Sequence, residues 1–162
     1  MDLLTKSMCN AGDVVLCEAP SFVGSLNTFR SYQVKLHGVP MDSDGMNMEA
    51  LEKALQEERH VKFIYTIPNF QNPTGRTMSL AKRRRIYELA KQYNVMILED
   101  NPYGDLRFAG EDLPSIKSFD EDGIVVYAGT FSKVIAPGIR VGFALLPTPV
   151  MNKMVVCKQG ED

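Results

Sequence analysis

The sequence predicts an α/β fold, a three-layer α/β/α arrangement in which helices cover both faces of a mostly parallel sheet. Short apolar runs alternate along the chain with longer segments whose apolar residues recur at helical spacing, the pattern of strands joined by crossover helices. The runs are almost continuously apolar, as strands buried on both faces are. Polar residues of unusual type follow several of these runs. Because ligands bind beyond the carboxyl ends of such strands, these observations together predict one site at one edge of the sheet.

The first half of the chain contains two predicted strands and three predicted helices. In chain order we expect a helix end at residues 1–10, a strand at 14–17, a helix at 23–31 and a strand at 32–39. Residues 42–45, Asp-Ser-Asp-Gly, predict a turn. Asn47 can then cap a third helix, whose Met48, Leu51 and Leu55 face inward.

The second half contains four predicted strands, at residues 61–67, 95–98, 124–127 and 140–146. Ser79 caps a helix that joins the first two of them. We interpret the basic run at residues 82–85 as a solvated turn of that helix rather than as a phosphate-backbone contact. A last helix opens at Thr148-Pro149, with proline at its first position.

Composition excludes several classes of protein. A chain of 162 residues with 44% hydrophobic and 23% charged residues fits one soluble globular domain with a substantial core. A net charge of -2 gives no reason to expect a nucleic-acid or membrane partner, and no apolar run approaches the length that spans a bilayer. Cys9, Cys17 and Cys157 are odd in number and far apart, so they predict neither a disulfide framework nor a metal site, and they favour a reducing cytoplasm.

Residues 128–143 carry the groups with the most distinctive chemistry. Thr130, Ser132 and Arg140 suit a phosphate, because hydroxyls donate to its oxygens and an arginine can bind it through two hydrogen bonds. Lys133 lies between them and is the candidate nucleophile. An aldehyde cofactor that carries a phosphate needs these groups within one short loop, and pyridoxal 5'-phosphate is such a cofactor. The alternative is a strand, a glycine-rich turn and a solvated lysine, which Ser132-Lys133 alone would not exclude.

Four further residues follow other strands, and each has a possible task on a pyridoxal ring. Asp100 can hold the ring nitrogen protonated, Tyr103 and Asn72 can donate to the phenolic oxygen, and Phe22 can stack on the ring face. Each also has a plain structural alternative. These alternatives are a loop or helix-capping role for Asp100, packing for Tyr103, a turn for Asn72 and core for Phe22.

Three motifs resemble the signatures of the class I/II aminotransferases, which are fold-type-I pyridoxal-phosphate enzymes. They are Asn-Pro-Thr-Gly at 72–75, Glu-Asp-Asn-Pro-Tyr-Gly at 99–104, and Ser-Lys-Val-Ile-Ala-Pro-Gly-Ile-Arg-Val-Gly at 132–142. They occur in the family's order, and the resemblance covers nearly the whole chain. The run Pro-Asn-Phe-Gln-Asn-Pro-Thr-Gly at 68–75 is most similar to the 2-aminoadipate, kynurenine and aromatic aminotransferase branch.

This resemblance implies transamination between an amino acid and a 2-oxo acid. The cofactor-binding residues that it implies are Phe22, Asn72, Asp100, Tyr103, Thr130, Ser132, Lys133 and Arg140. Lys133 would form the Schiff base and later move the proton of the 1,3-shift, with Asp100 and Tyr103 as the other catalytic residues. Phe22 stands where the family usually carries tyrosine or tryptophan, so an aromatic face is kept and a hydroxyl is lost.

Members of this family are more than twice as long as the chain. The resemblance therefore implies that residues 1–162 form part of a pyridoxal-phosphate-binding large domain of a homodimer. The family carries a phosphate-binding turn before the position of Met1, and a small domain with a substrate-binding arginine after that of Asp162. We expect the 162-residue chain alone to bind the cofactor weakly and to sustain no transamination.

Other functions stay open at this point. Some transcription regulators join a winged-helix DNA-binding domain to an aminotransferase-like sensor domain that keeps the lysine and the aspartate. In those regulators an aromatic residue commonly replaces the asparagine of the Asn-Pro-Thr-Gly motif, so Asn72 favours the enzyme. A structural remnant without a ligand would leave the motif set unexplained. Lyases and decarboxylases of the fold share the lysine chemistry, so the reaction type rests on the resemblance, and the sequence does not identify the amino acid.

Overall fold

Seven strands form one sheet in the computed structural model, which describes residues 1–160. The strands are β1 (Val14–Ala19), β2 (Lys35–Asp42), β3 (Gly45–Met46), β4 (Val61–Thr66), β5 (Met96–Asn101), β6 (Val125–Thr130) and β7 (Gly142–Leu145). Their order across the sheet is β3-β2-β1-β4-β5-β6-β7. The five longest strands are parallel, while β3 and β7 pair antiparallel with β2 and β6 at the two edges. The predicted mostly parallel sheet is confirmed.

Five α-helices accompany the sheet within residues 1–160. They are α1 (Asp2–Met8), α2 (Val23–Ser31), α3 (Met48–Glu57), α4 (Leu80–Gln92) and α5 (Thr148–Gln159). Both predicted caps are present, because Asn47 Oδ1 accepts from Ala50 N at 2.8 Å and Ser79 Oγ accepts from Lys82 N at 3.4 Å. None of the described helices is long and apolar enough to cross a membrane.

Side chains alternate across the strands and build a core on each face of the sheet. Leu16, Ile64 and Ile97 pack in the core beneath α3 and α4. Their neighbours Cys17, Tyr65 and Leu98 pack on the opposite face, in the core that includes residues of α1, α2 and α5. The three-layer arrangement is therefore confirmed.

The chain changes direction across the sheet at β1. It passes from β1 through α2 to β2 on one side, then returns through α3 to β4 on the other side. This reversal makes a topological switch point between β1 and β4, the place where open α/β sheets form a ligand-binding crevice.

Several strands extend beyond their apolar runs. β5 continues through Glu99, Asp100 and Asn101, although the sequence predicted its end at residue 98, and β6 continues to Thr130 rather than to residue 127. The ladder holds these polar residues, since Asp100 stands in register with Ala128. Apolar runs therefore predict the centres of the strands better than their carboxyl ends, where the polar residues lie.

The start of β2 was predicted three residues too early. Tyr32 and Gln33 close the end of α2, where Gln33 N donates to Arg30 O at 2.9 Å and Gln33 has a φ of 59°. The strand begins only at Lys35. The two-residue strand β3 was not predicted either, because it is the short return of the hairpin that follows the turn at 42–45.

The basic run at residues 82–85 is only partly the solvated turn that we predicted. Arg83 is fully buried, and its guanidinium donates to three carbonyls and to Asn69 Oδ1, the last at 2.6 Å. A buried cation is tolerated when each of its donors has a partner. The charge pattern of the helix could not show this, since the carbonyls belong to the loops around Met78, Pro68 and Pro114.

Candidate active site

Four strand ends bring the predicted site residues to one edge of the sheet. β1 leads to Phe22, β4 to the loop with Asn72, β5 to Asp100, and β6 to Thr130. In the β5–β6 register, the partner of Asp100 is Ala128, two residues before Thr130. The crevice between β1 and β4 opens at the same edge.

Asp100 is held by a tyrosine from the neighbouring strand. The hydroxyl of Tyr65 donates to Asp100 Oδ2 at 2.8 Å and is also hydrogen-bonded to Ser25 Oγ, on α2, at 2.9 Å. Burial raises the pKa of the Asp100 carboxyl above its ordinary value, and the hydrogen bond from Tyr65 offsets part of that rise. A carboxylate in this setting would gain most from a cationic N–H donor.

Asn72, Tyr103 and Lys133 form a second group beside the end of β5. Asn72 Nδ2 donates to the Tyr103 hydroxyl oxygen at 3.4 Å. Lys133 Nζ lies 5.8 Å from the centroid of the Tyr103 ring. Three residues from separate loops therefore meet, with an amide, a phenol and an amine close together.

The proposed phosphate ligands gather where β6 meets β7. Thr130 Oγ1 donates to Ser132 Oγ at 3.0 Å and accepts from Ser132 N at 3.1 Å. Thr130 pairs with Gly142, only two residues after Arg140. Arg140 adopts a left-handed conformation with a φ of 53°, and its Nη1 donates to Pro137 O at 3.2 Å. Two hydroxyls and an exposed guanidinium therefore lie on the segment from the end of β6 to the start of β7.

Phe22 occupies the N-cap position of α2 and is 39% exposed, so the alternative of an ordinary core residue is not what the structure shows. A Cβ at Gly24 would lie only 2.6 Å from Cζ of the Phe22 ring. Glycine at that position therefore leaves room for the ring.

Sequence reasoning missed three buried residues that support the site: Tyr65, Glu18 and Gln71. Tyr65 holds Asp100, while Glu18 and Gln71 are hydrogen-bonded to each other at 3.0 Å beside the loop that carries Asn72. A signal for two of them was present. Tyr65 brings a hydroxyl into an apolar run, and Glu18 directly follows one.

Known proteins share both the sequence and the fold of this chain. The aromatic-amino-acid aminotransferase 1 of Thermococcus litoralis is 44% identical over 166 residues, covering 100% of the chain and 40% of that protein. An uncharacterized HTH-type transcriptional regulator of Bacillus subtilis, YisV, is 35% identical over 162 residues, which is 33% of its length. The crystal structure of kynurenine aminotransferase from Pyrococcus horikoshii, in complex with PMP, superposes with a TM-score of 0.97 at 41% identity, over 99% of this chain and 41% of that one.

The chain thus spans about two fifths of the length of the aminotransferases that it matches. The match to the family covers nearly all of the chain, because residues 2–160 match aminotransferase class I and II. The chain belongs to the class I and II aminotransferase family.

Proposed function

We propose that the whole protein carrying this chain is a pyridoxal-phosphate-dependent enzyme that transfers an amino group between an amino acid and a 2-oxo acid. The observation that carries the proposal is the meeting of Asn72, Tyr103 and Lys133 beside the tyrosine-bound carboxylate of Asp100. Family membership supports the reaction, and the PMP bound to the Pyrococcus horikoshii relative supports the cofactor.

The side chains of the site fit pyridoxal 5'-phosphate in their chemistry. Burial leaves the Asp100 carboxylate in need of a cationic donor, and a protonated pyridine nitrogen is one. Thr130 and Ser132 offer hydroxyls and Arg140 a guanidinium, the groups that a phosphate requires. Ser21 Oγ is buried without a hydrogen-bond partner among residues 1–160, so an unused hydroxyl stands next to Phe22.

We assign each residue the task that its position supports. Thr130, Ser132 and Arg140 bind the phosphate, and Phe22 covers one face of the ring. Asn72 and Tyr103 direct donors to the phenolic oxygen. These assignments place the cofactor along the edge between the ends of β1 and β6, where the four segments converge.

When bound, the cofactor supplies an aldehyde for amino groups and a ring that withdraws electrons from the substrate Cα. Asp100 would accept the N–H of the ring nitrogen and keep that nitrogen protonated. Lys133 would hold the cofactor through Nζ and, as a free amine, would carry the proton that leaves the substrate Cα. The hydroxyl of Tyr65 orients the Asp100 carboxylate and favours its ionised form.

The remaining proposals concern the whole protein. We propose that residues 1–162 are part of its cofactor-binding large domain, that it acts as a homodimer, and that it works in the cytoplasm. The three cysteines are free, which suits a reducing compartment. A regulator with an aminotransferase-like domain has less support, because Asn72 is kept and bonds Tyr103.

An amino-transfer assay tests this function. The whole protein, supplied with pyridoxal phosphate and 2-oxoglutarate, should convert aromatic amino acids, kynurenine or 2-aminoadipate to the 2-oxo acids with matching formation of glutamate. Binding of the cofactor without turnover of any amino acid in a broad panel would favour a sensor instead.

A further inference from the structure

Glu18 is a buried carboxylate that has no part in the cofactor-binding and catalytic roles proposed for the other residues. It stands at the end of β1 and is 2% exposed. Thr66 Oγ1 donates to its Oε1 at 2.6 Å, the backbone N–H of Ile67 donates at 3.3 Å, and Gln71 Nε2 donates to Oε2 at 3.0 Å. All of these donors are neutral, and within residues 1–160 no lysine, arginine or histidine forms a salt bridge with it. Since burying a carboxylate without a cationic partner is costly, its presence at this edge of the sheet calls for a specific role.

Gln71 connects Glu18 to the loop that carries Asn72. Its side chain is 2% exposed, and its amide uses every hydrogen-bonding position. Oε1 accepts from Thr74 N at 3.0 Å and from Thr74 Oγ1 at 2.7 Å, while Nε2 donates to Glu18 and to Pro20 O, the latter at 2.9 Å. A flipped amide would direct its NH2 group at the Thr74 N–H, so the network fixes one orientation.

The pair also joins the two loops that flank the switch point. Glu18 and Pro20 belong to the segment that leaves β1, and Gln71 belongs to the loop that leaves β4. The main chain of that loop closes on the same residue, because Gln71 N donates to Arg76 O at 2.8 Å and Gly75 N donates to Gln71 O at 2.5 Å. Asn72 is the next residue, and it reaches the Tyr103 hydroxyl at 3.4 Å.

We propose that Glu18 and Gln71 form a positioning pair that holds the Asn72 loop against β1 and thereby sets the hydrogen bond from Asn72 towards Tyr103 and the cofactor's phenolic oxygen. The proposal rests on the proposed function. Neither residue touches the reacting atoms in this assignment. The carboxylate accepts the N–H of Gln71 Nε2 that does not donate to Pro20 O, and the main chain of Gln71 carries this anchored position into the loop.

A swap of the two side chains tests the pair. Gln71→Glu is close to Gln71 in shape but sets two carboxylates against each other. The double variant Glu18→Gln with Gln71→Glu restores a hydrogen bond, with donor and acceptor reversed. Gln92→Glu, at an exposed position of α4, is the matched control for added charge.

The first readout needs no cofactor. Amide hydrogen exchange of Thr74 and Gly75, measured on the cofactor-free protein at pH 8, should be about tenfold to a hundredfold faster in Gln71→Glu. It should return to within about threefold of the original rate in the double variant. Gln92→Glu should leave it unchanged. If Gln71→Glu does not fold, Gln71→Met is measured in its place. It removes all four side-chain hydrogen bonds of residue 71 without adding charge, so its exchange is read at Gly75, whose amide donates to the main-chain oxygen of residue 71.

The second readout is the pH at which the absorption band of the bound cofactor changes, together with kcat. Both should move in Gln71→Glu and recover in the double variant. Unchanged exchange in the single variant, or a double variant no better than the single one, would overturn the positioning pair. Failure of the proposed function can be distinguished from failure of the positioning pair. In that case the unaltered protein would transfer no amino group, while the amide exchange rates would still show whether the pair holds the loop.

Discussion

The hydroxyl of Tyr65 donates a hydrogen bond of 2.8 Å to Oδ2 of Asp100, joining the interior of β4 to the end of β5. Tyr65 is fully buried, and burial beside Asp100 raises the pKa of its phenol, so the hydroxyl stays protonated and remains a donor. The aspartate assigned to the ring nitrogen is therefore supported from inside the sheet by a residue that belongs to no recognised motif.

Tyr65→Phe should lower turnover while cofactor still binds. Loss of the donor removes a hydrogen bond to a charged group worth about 1.5–3 kcal/mol, so kcat/KM should fall about tenfold to a hundredfold. Tyr65 favours the ionised form of Asp100, so its loss raises the pKa of Asp100 further. The acidic limb of the profile of kcat/KM against pH should therefore move to higher pH. Tyr93→Phe, which removes a tyrosine hydroxyl bonded to Gln56 at the surface, is the control, and equal effects of the two variants would contradict the assignment.

Asp100→Asn should separate cofactor binding from turnover. The phosphate and lysine contacts remain, so the protein should still take up pyridoxal phosphate, as its absorption spectrum would show. Turnover should fall at least about a hundredfold, because the ring nitrogen loses the charge that keeps it protonated. Near-normal transamination by this variant would mean that Asp100 has only a structural role.

The sequence allowed the sheet and the site residues to be predicted for different reasons. The strands follow from apolar runs that need only local reading, and the caps at Asn47 and Ser79 follow from local hydrogen bonding. The gathering of Asn72, Asp100 and Thr130 at one edge follows from parallel strands, whose carboxyl ends share that edge.

The supporting residues could not be predicted in the same way. Glu18 is 53 positions from Gln71, and Tyr65 is 35 positions from Asp100, so neither pair leaves a local pattern. Arg83 was misjudged for the same reason, because its basic neighbours indicated solvent while its partners lie in distant loops. A buried polar contact depends on which loops the topology brings together, and spacing along the chain does not encode that.

The stability of the fold should depend on Glu18 in a defined pH window. Burial raises the pKa of Glu18 from 4.5 to about 7, although the hydrogen bonds from Thr66, Gln71 and Ile67 oppose the shift. A folded-state pKa above the unfolded one stabilises the fold fully below pH 4.5, and this stabilisation is lost as pH rises through 7. Its size is at most about 3 kcal/mol.

Glu18→Gln should remove this dependence. The free energy of unfolding, from urea denaturation at several pH values, should decline less steeply between pH 4.5 and 7 in the variant. Glu18 interacts electrostatically with three nearby titratable residues, Asp100, Tyr65 and Cys17. The test therefore compares the pH dependence of the unfolding free energy in the variant with that in the original protein. Glu49→Gln, at an exposed position, should keep the original slope. A Glu18→Gln profile parallel to the original would show that Glu18 does not titrate in this window.

Arg83→Ala should destabilise the protein far more than Arg84→Ala. Arg83 satisfies carbonyls of Met78, Pro114 and Pro68 from a fully buried position, so its removal should cost about 3–5 kcal/mol of unfolding free energy. Arg84 is exposed, and its guanidinium lies 5.4 Å from the centroid of the Phe119 ring, so its loss should cost about 1 kcal/mol or less. Urea unfolding of both variants gives the comparison, and similar losses would mean that the buried network adds little.

Reductive labelling tests whether Lys133 holds the cofactor. The whole protein loaded with pyridoxal phosphate is treated with borohydride, digested, and mapped by mass spectrometry. We expect a pyridoxyl group on Lys133, the lysine whose Nζ lies 5.8 Å from the Tyr103 ring centroid, and no labelling in Lys133→Ala. A pyridoxyl group on Lys153 or Lys158 in place of Lys133 would contradict this expectation.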